Sequence, residues 1–92
     1  MQIAVLGAGS WGTALALVLA RNNHRVKLWG HNNVRLEQIR LAHANEHYLP
    51  DVPFPENLIP EADLSEAIRD CALIVVAVPS HAFRELLERL PP

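Results

Sequence analysis

Three glycines at a fixed spacing are the residues of this chain best placed to do chemistry. Gly7, Gly9 and Gly12 form the pattern G-x-G-x-x-G directly after a short apolar run. In this pattern the first glycine permits a tight turn, the second lets the backbone approach a pyrophosphate, and the third lets a helix lie close on the strand. The spacing therefore predicts a phosphate-binding turn. The alternative is a glycine turn that serves packing alone.

The residues on either side of the turn predict the strand and the helix that such a site requires. Residues 3–6 are continuously apolar, which is typical of a parallel strand covered on both faces. Residues 10–21 are apolar on nearly every side and predict a largely buried helix. The amides and the positive dipole end of this helix would point at the phosphates. A glycine motif between a strand and a helix is much stronger evidence for a dinucleotide site than the glycine spacing alone.

The middle of the chain predicts a second strand, a second helix and then an irregular segment. Residues 25–29 alternate as a strand does, and residues 34–44 have helical spacing with Asn33 as N-cap. In residues 45–60 the prolines disfavour both a regular helix and a central strand. They are Pro50, Pro53, Pro55 and Pro60. The apolar residues among them predict that this extended segment packs on the domain.

The last third predicts a short helix, a strand and a longer helix. Asp63 is placed as the N-cap of the short helix. Residues 72–78 are continuously apolar and β-branched, which predicts a central parallel strand ended by Pro79. Ser80 then serves as N-cap of a helix whose apolar stripe includes Phe83 as a core residue, and the prolines at 91–92 end it.

Length, composition and charge limit the protein's class. The 92 residues are 50% hydrophobic with a net charge of −2, which suits one small globular domain and gives no basic balance for nucleic acid. No apolar run reaches the roughly 20 residues that span a bilayer. Because a predicted strand already begins at residue 3, we expect no signal peptide. Cys71 is the single cysteine, so we expect a cytoplasmic protein with this cysteine as a small buried residue.

Other side chains that could do chemistry form no recognisable site. His43 and His47 stand four residues apart, but no third ligand accompanies them, so we expect no metal. The carboxylates show no acid pair and are expected on the surface. Lys27, the single lysine, lies inside the second strand, and we assign no catalytic residue.

Four segments together resemble the N-terminal part of bacterial NAD(P)-dependent glycerol-3-phosphate dehydrogenases. They are GAGSWGTALA at 7–16, LWGH at 28–31, YLPDVPFP at 48–55 and VAVPSHAF at 76–83. The resemblance extends over essentially the whole chain, and YLPDVPFP is its most particular segment. It implies an α/β fold, an incomplete doubly wound (Rossmann) parallel sheet with flanking helices. It also implies an oxidoreductase that exchanges hydride between a nicotinamide cofactor and the dihydroxyacetone phosphate/glycerol 3-phosphate pair, feeding phospholipid synthesis.

The same resemblance implies particular cofactor contacts. The family positions that match Ser10, Trp11 and His31 contact the cofactor. Ser10 would give its amide and hydroxyl to the pyrophosphate and Trp11 would pack its ring beside it, although a surface-covering role for Trp11 is the alternative. Pro79 would lie beside the nicotinamide half, and strand termination with N-capping is an equal alternative for Pro79 and Ser80.

The residues after the second strand bear on the choice between NAD(H) and NADP(H). NAD-selective sites usually carry Asp or Glu about 20 residues beyond the glycines, where it binds the ribose 2′-hydroxyl. This chain has Gly30 and His31 there, with Arg35 one helical turn on. NADP(H) is therefore favoured and NAD(H) remains compatible. The alternative is that His31 and Arg35 are solvated loop residues.

The resemblance also predicts what residues 1–92 lack. They would form the N-terminal part of an NAD(P)-binding Rossmann domain, while the substrate domain and the catalytic lysine belong to a C-terminal part that is absent. We therefore expect the chain alone to be a catalytically inactive fragment. A stand-alone nucleotide-binding or regulatory module is the alternative, which a gene ending at Pro92 would favour. An open edge beside the last strand also predicts self-association.

Overall fold

The computed structural model describes residues 1–49 and 51–90 as four strands and four helices that alternate along most of the chain. The strands are β1 (Gln2–Leu6), β2 (Arg25–Trp29), β3 (Leu58–Pro60) and β4 (Leu73–Val76). The helices are α1 (Ser10–Arg21), α2 (Asn33–Ala42), α3 (Leu64–Ile68) and α4 (Ser80–Arg89). All described strand pairs are parallel, in the order β3-β2-β1-β4. This confirms the predicted α/β class. Pro50 and the prolines at 91–92 lie outside the described residues.

The sheet separates two apolar cores because strand side chains alternate between its faces. Ile3 and Val5 of β1 pack with α1 and α2, whereas Ala4 and Leu6 pack with α3 and α4. All four of these residues are buried. Helices therefore cover both faces of β1, which explains why its sequence is apolar without interruption.

The strand register brings the carboxyl ends of three strands to one level. Leu6 of β1 is opposite Trp29 of β2 on one side and Val76 of β4 on the other. Each strand is followed there by a loop: the glycine turn, residues 30–32 and residues 77–79. In open parallel sheets ligands bind at this edge.

The irregular segment between α2 and β3 is packed on the domain, as predicted, but it ends in a strand that the sequence did not predict. Phe54 and Leu58 are buried in the core that contains α1 and α2. Residues Leu58–Pro60 pair with β2, so that Leu28 is opposite Pro60. The prolines excluded a central strand, and this three-residue strand lies at the sheet edge, where proline is tolerated.

Two predictions for the C-terminal third are wrong. The strand β4 pairs with β1 alone among the described residues and therefore lies at an edge, with Leu73 46% exposed, so the central position is wrong although the open edge expected beside this strand is present. Phe83 was expected in the core, yet it is 45% exposed, while Leu86 of the same helix is buried. Because β4 is an edge strand, the described part of the chain offers α4 less to pack against than a central strand would.

The helix caps agree with the sequence in one case and differ in two. Asp63 caps α3 as predicted and accepts hydrogen bonds from the Ser65 and Glu66 amides. The N-cap of α2 is Asn32, not Asn33, because the Asn32 side chain reaches the Arg35 amide at 3.0 Å. The N-cap of α4 is Pro79, not Ser80, and no side-chain cap was found there among the described residues.

We predict that two phenylalanine truncations will have very different costs. Phe54→Ala empties a buried position and should lower the free energy of unfolding by about 3–4 kcal/mol. Phe83→Ala removes a half-exposed ring and should change it by less than about 1 kcal/mol. Urea denaturation followed by circular dichroism measures both. Equal losses would contradict the placement of the two rings.

Candidate functional site

Two of the three glycines are required by the fold itself. Gly7 has φ +127°, and a Cβ placed on it would overlap the carbonyl oxygen of Ala77. A Cβ on Gly12 would overlap the carbonyl oxygen of Gly7. Gly7 has no room for a side chain because the loop after β4 lies against the turn, and Gly12 has none because the first turn of α1 lies against it.

Gly9 differs from the other two because nothing in the fold requires it. Its φ of −78° and ψ of −169° are extended values that any residue adopts. Apart from Gly9 itself and its two chain neighbours, no atom of the described residues lies within 4 Å of the place a Cβ would occupy. The bare backbone at Gly9 therefore leaves open space at the N-cap of α1, next to the amides that an α-helix leaves unpaired in its first turn. This open approach suits a phosphate group.

The glycine turn forms one wall of a groove along the carboxyl edge of the sheet, which we call the carboxyl-edge groove. It encloses about 340 Å³. Its lining comes from the glycine turn, the loop after β2, the start of α2, residues 47–48 and the loop after β4. The lining residues are Gly7, Ala8, Gly9, Gly30, His31, Asn32, Arg35, Leu36, His47, Tyr48, Ala77, Val78 and Pro79.

The structure brings five of the eight predicted site residues to this groove and leaves three outside its lining. Gly7, Gly9, His31, Arg35 and Pro79 line it. Gly12 is buried beneath the turn, and Ser10 and Trp11 occupy the exposed first turn of α1. The Trp11 side chain is 74% exposed. The predicted cofactor roles of all eight residues stay predictions.

An aromatic residue that the sequence did not single out lies on the far side of the groove. The guanidinium of Arg35 lies 5.8 Å from the centre of the Tyr48 ring, a cation–π distance. His47 meets the same ring edge-on, with centroids 4.6 Å apart. The available signal was the segment YLPDVPFP, which begins at Tyr48. Its particular pattern was noticed, but only the tertiary structure places it opposite Arg35.

The polar lining of the carboxyl-edge groove suits an anion. Its titratable side chains are Arg35, His31, His47 and the phenol of Tyr48, and none of its lining residues is Asp or Glu. The side chain of Asn32 is occupied by the helix cap. Positive charge without a competing carboxylate favours a bound phosphate.

A smaller cavity of about 240 Å³ adjoins the groove and shares His31, Val78 and Pro79 with it. Trp29 lines this cavity and is nearly buried, with its Nε1 donating to the Ala62 carbonyl at 3.1 Å. The guanidinium of Arg89 lies 5.2 Å from the centre of the Trp29 ring. The Trp29 indole therefore lines the cavity that adjoins the groove, where its fluorescence can report a nearby ligand.

The other candidate groups have structural explanations. Lys27 donates from Nζ to the Glu66 carbonyl at 2.8 Å and so ties β2 to α3. Cys71 is partly rather than fully buried; its thiol contacts the Ala67 carbonyl, and desolvation raises its pKa, which favours the unreactive protonated form.

Within residues 1–49 and 51–90, no three His, Cys, Asp or Glu side chains converge as metal ligands. None of the described helices is long and apolar enough to cross a membrane.

Comparison with known proteins identifies one family over almost the whole chain. A sequence model described as the N-terminus of NAD-dependent glycerol-3-phosphate dehydrogenase matches residues 2–92. The glycerol-3-phosphate dehydrogenase [NAD(P)+] of Thioalkalivibrio sulfidiphilus is 54% identical over 90 residues, and that of Pectobacterium carotovorum is 49% identical over 91 residues. These matches cover 98% and 99% of this chain but 27% of either relative. The chain thus spans about a quarter of the length of the relatives it matches.

Solved structures agree with the sequence comparison. The crystal structure of glycerol-3-phosphate dehydrogenase from Coxiella burnetii superposes with a TM-score of 0.93 at 45% identity, covering 96% of this chain and 27% of that one. The glycerol-3-phosphate dehydrogenase of Saccharomyces cerevisiae gives 0.86 at 28% identity, covering 98% and 29%.

We predict that alanine will be tolerated at one glycine of the turn and rejected at another. Gly12→Ala forces a Cβ against backbone and should lower the free energy of unfolding by about 3 kcal/mol or more. Gly9→Ala enters open space at a compatible backbone conformation and should change it by less than about 1 kcal/mol. Urea unfolding of both variants beside the wild type tests this. A Gly9→Ala loss as large as that of Gly12→Ala would contradict it.

Proposed function

The chain belongs to the family of NAD-dependent glycerol-3-phosphate dehydrogenases, whose N-terminal part it matches, and we propose that it binds a nicotinamide dinucleotide across the carboxyl edge of its sheet. The observation that carries this proposal is the open space at Gly9. The fold requires glycine at Gly7 and Gly12 but not at Gly9. A bare backbone at this position is explained by a ligand that approaches it closely, as a pyrophosphate does.

The proposed cofactor would be held along the loops that follow the strands. Its pyrophosphate would lie at Gly9 and the first-turn amides of α1, and the amide and hydroxyl of Ser10 would donate to it. Trp11 projects from the same turn and would cover the phosphates from the solvent side. Pro79 lines the groove after β4 and would lie against the nicotinamide half. These residues bind and orient the cofactor.

We propose NADP(H) as the favoured cofactor, with NAD(H) compatible. Arg35 and His31 line the carboxyl-edge groove, and no carboxylate lines it. A site for NAD alone usually presents a carboxylate to the ribose 2′-hydroxyl, which repels a 2′-phosphate. The guanidinium of Arg35 would instead pair with the 2′-phosphate, while Tyr48, which it already contacts, limits its movement.

For the whole protein we propose the reversible reduction of dihydroxyacetone phosphate to sn-glycerol 3-phosphate, which feeds phospholipid synthesis. The bound nicotinamide supplies or accepts the hydride. Residues 1–92 would be the N-terminal part of the cofactor-binding domain, and the substrate pocket would belong to the region of the relatives that this chain does not match. Lys27 is held by the Glu66 carbonyl away from the groove lining. We therefore propose that residues 1–92 bind cofactor without turnover by themselves.

We predict that Arg35→Ala will remove the preference for the 2′-phosphate. The variant should bind NADPH about 10- to 150-fold more weakly, since a hydrogen-bonded charge contact is worth about 1.5–3 kcal/mol, and should bind NADH as before. Binding is followed through the fluorescence of Trp29 or by calorimetry on the 92-residue chain.

Arg40→Ala is the matched control on the same helix. Arg40 forms an exposed ion pair with Glu37, whose pKa its hydrogen bond lowers, and it does not line the groove. This variant should leave both affinities unchanged. A wild type that prefers NADH more than tenfold would contradict the cofactor preference, and no binding of either nucleotide at millimolar concentration would contradict the binding function.

We further propose self-association of the 92-residue chain through β4. This strand lies at the edge of the described sheet, with Leu73 and Ile74 40% or more exposed. Phe83 and Leu87 of α4 add exposed apolar surface. An open edge with apolar side chains favours pairing with another copy.

We predict that the wild-type chain will sediment as a concentration-dependent oligomer and that Leu73→Lys will shift it toward monomer. A charge on an edge strand opposes strand pairing between copies. Sedimentation velocity over a concentration series measures this. The exposed β3 residue Ile59 provides the control, since Ile59→Lys alters the opposite edge of the sheet. A monomeric wild type, or equal effects of both lysines, would contradict association through β4.

A further inference from the structure

The residue that joins the glycine turn to the rest of the carboxyl-edge groove is Asn45. It is completely buried, although it lies in the irregular segment after α2. Its Nδ2 donates to the Ala8 carbonyl at 2.9 Å and to the Thr13 Oγ1 at 2.9 Å. Ala8 precedes Gly9 and Thr13 follows it, so one amide group holds the turn on both sides of the proposed phosphate position.

Only an amide placed this way round satisfies both partners. The Ala8 carbonyl is an acceptor alone, so the group that faces it must be the donor Nδ2 and not Oδ1. The Oδ1 atom is buried and has no hydrogen-bond partner among the described residues. Such an atom is costly to bury, which indicates that the two bonds of Nδ2 determine the orientation of the side chain.

The backbone of Asn45 fixes the opposite wall of the groove. Its carbonyl accepts from the Tyr48 amide at 3.2 Å and the Leu49 amide at 2.7 Å. This closes the turn that presents His47 and Tyr48 to the groove. Asn45 thus connects the glycine turn, by its side chain, with the Tyr48 turn, by its main chain.

A second asparagine makes the same kind of contact at the other end of α1. Asn57 donates from Nδ2 to the Ala20 carbonyl at 2.6 Å and the His24 carbonyl at 2.8 Å. Ala20 and His24 lie at and beyond the C-terminal end of the helix, and neither lines the groove. Asn57 therefore has the chemistry of Asn45 without its place beside the phosphate position.

We propose that Asn45 is a positioning residue for the dinucleotide pyrophosphate: its amide holds the backbone on both sides of Gly9 in the conformation that receives the anion. The inference rests on the proposed cofactor function. It extends that function by assigning phosphate affinity to a buried residue that does not line the groove. The preformed turn lowers the conformational cost of binding, as preorganised sites do.

Matched alanine variants of the two asparagines test this proposal. Asn45→Ala should weaken binding of NADPH and of ADP, which contains the pyrophosphate, by about tenfold, the upper range for one lost hydrogen-bonding group. Its binding of 2′-AMP, which lacks the pyrophosphate, should change by less than about threefold. Asn57→Ala should leave all three affinities within about threefold of the wild type, even where urea unfolding shows a comparable loss of stability.

Hydrogen exchange provides a readout that needs no ligand. Amides of residues 8–13 should exchange faster in Asn45→Ala, and amides of residues 20–25 should exchange faster in Asn57→Ala. If the wild type binds no nucleotide, the proposed function fails, but this contrast still tests whether Asn45 holds the turn. Equal exchange of residues 8–13 in the two variants, or equal loss of ADP affinity, would overturn the proposal.

A milder variant keeps the proposal testable if Asn45→Ala does not fold. Thr13→Val retains the volume of a buried side chain and removes one acceptor of the Asn45 amide. It should accelerate exchange at residues 8–13 and weaken ADP binding by about threefold, with 2′-AMP unaffected. Wild-type exchange and ADP affinity in Thr13→Val would overturn the proposal.

Discussion

The close approach of the first turn of α1 to the end of β1 is the constraint on which the rest of the structure depends. The Gly7 amide donates to the Trp29 carbonyl at 2.7 Å, and the Leu6 carbonyl accepts from the Ala77 amide at 2.8 Å. The exit from β1 is therefore bonded to the ends of both neighbouring strands. A Cβ at Gly7 or Gly12 would separate these elements, so the loops that line the groove converge only because both positions lack side chains.

The proline-rich irregular segment between α2 and β3 is hydrogen-bonded near both ends of α1 and holds one wall of the groove in place. It runs beside α1, with Asn45 bonded near the N-terminal end of the helix and Asn57 bonded at the C-terminal end. Phe54 lies between these two anchors in sequence and packs in the core. An extended segment held at both ends and in the middle can present Tyr48 at a defined place without regular secondary structure of its own. This explains how a loop-rich region forms one wall of the carboxyl-edge groove.

The sequence predicted the bounds of elements that local pattern determines. It did not predict which of two adjacent asparagines caps a helix, or how deeply a helix face is buried. The bounds of α1 and β2 agree with the apolar pattern because glycines and asparagines end these elements sharply. Asn32 and Asn33 are chemically equal as caps, and only the reach of the Asn32 side chain to the Arg35 amide separates them. The apolar stripe of α4 has the predicted period, but the edge position of β4 leaves Phe83 half exposed. Helical periodicity specifies which residues share a face, and the neighbouring element decides how far that face is buried.

The sequence by itself determined the α/β class, the glycine turn between β1 and α1 and the lack of a carboxylate after β2. Each of these depends on residues close together in the chain: the glycine spacing, the apolar runs and the identity of His31. Only the tertiary structure decided that Tyr48 faces Arg35, that Gly9 is the glycine the fold does not require, and that Asn45 braces the turn. The Asn45 bonds join residues 37 and 32 positions apart, so they depend on strand order and register and not on local propensity. Local sequence pattern does not indicate which distant segments come into contact, and for that reason it could not predict these hydrogen bonds.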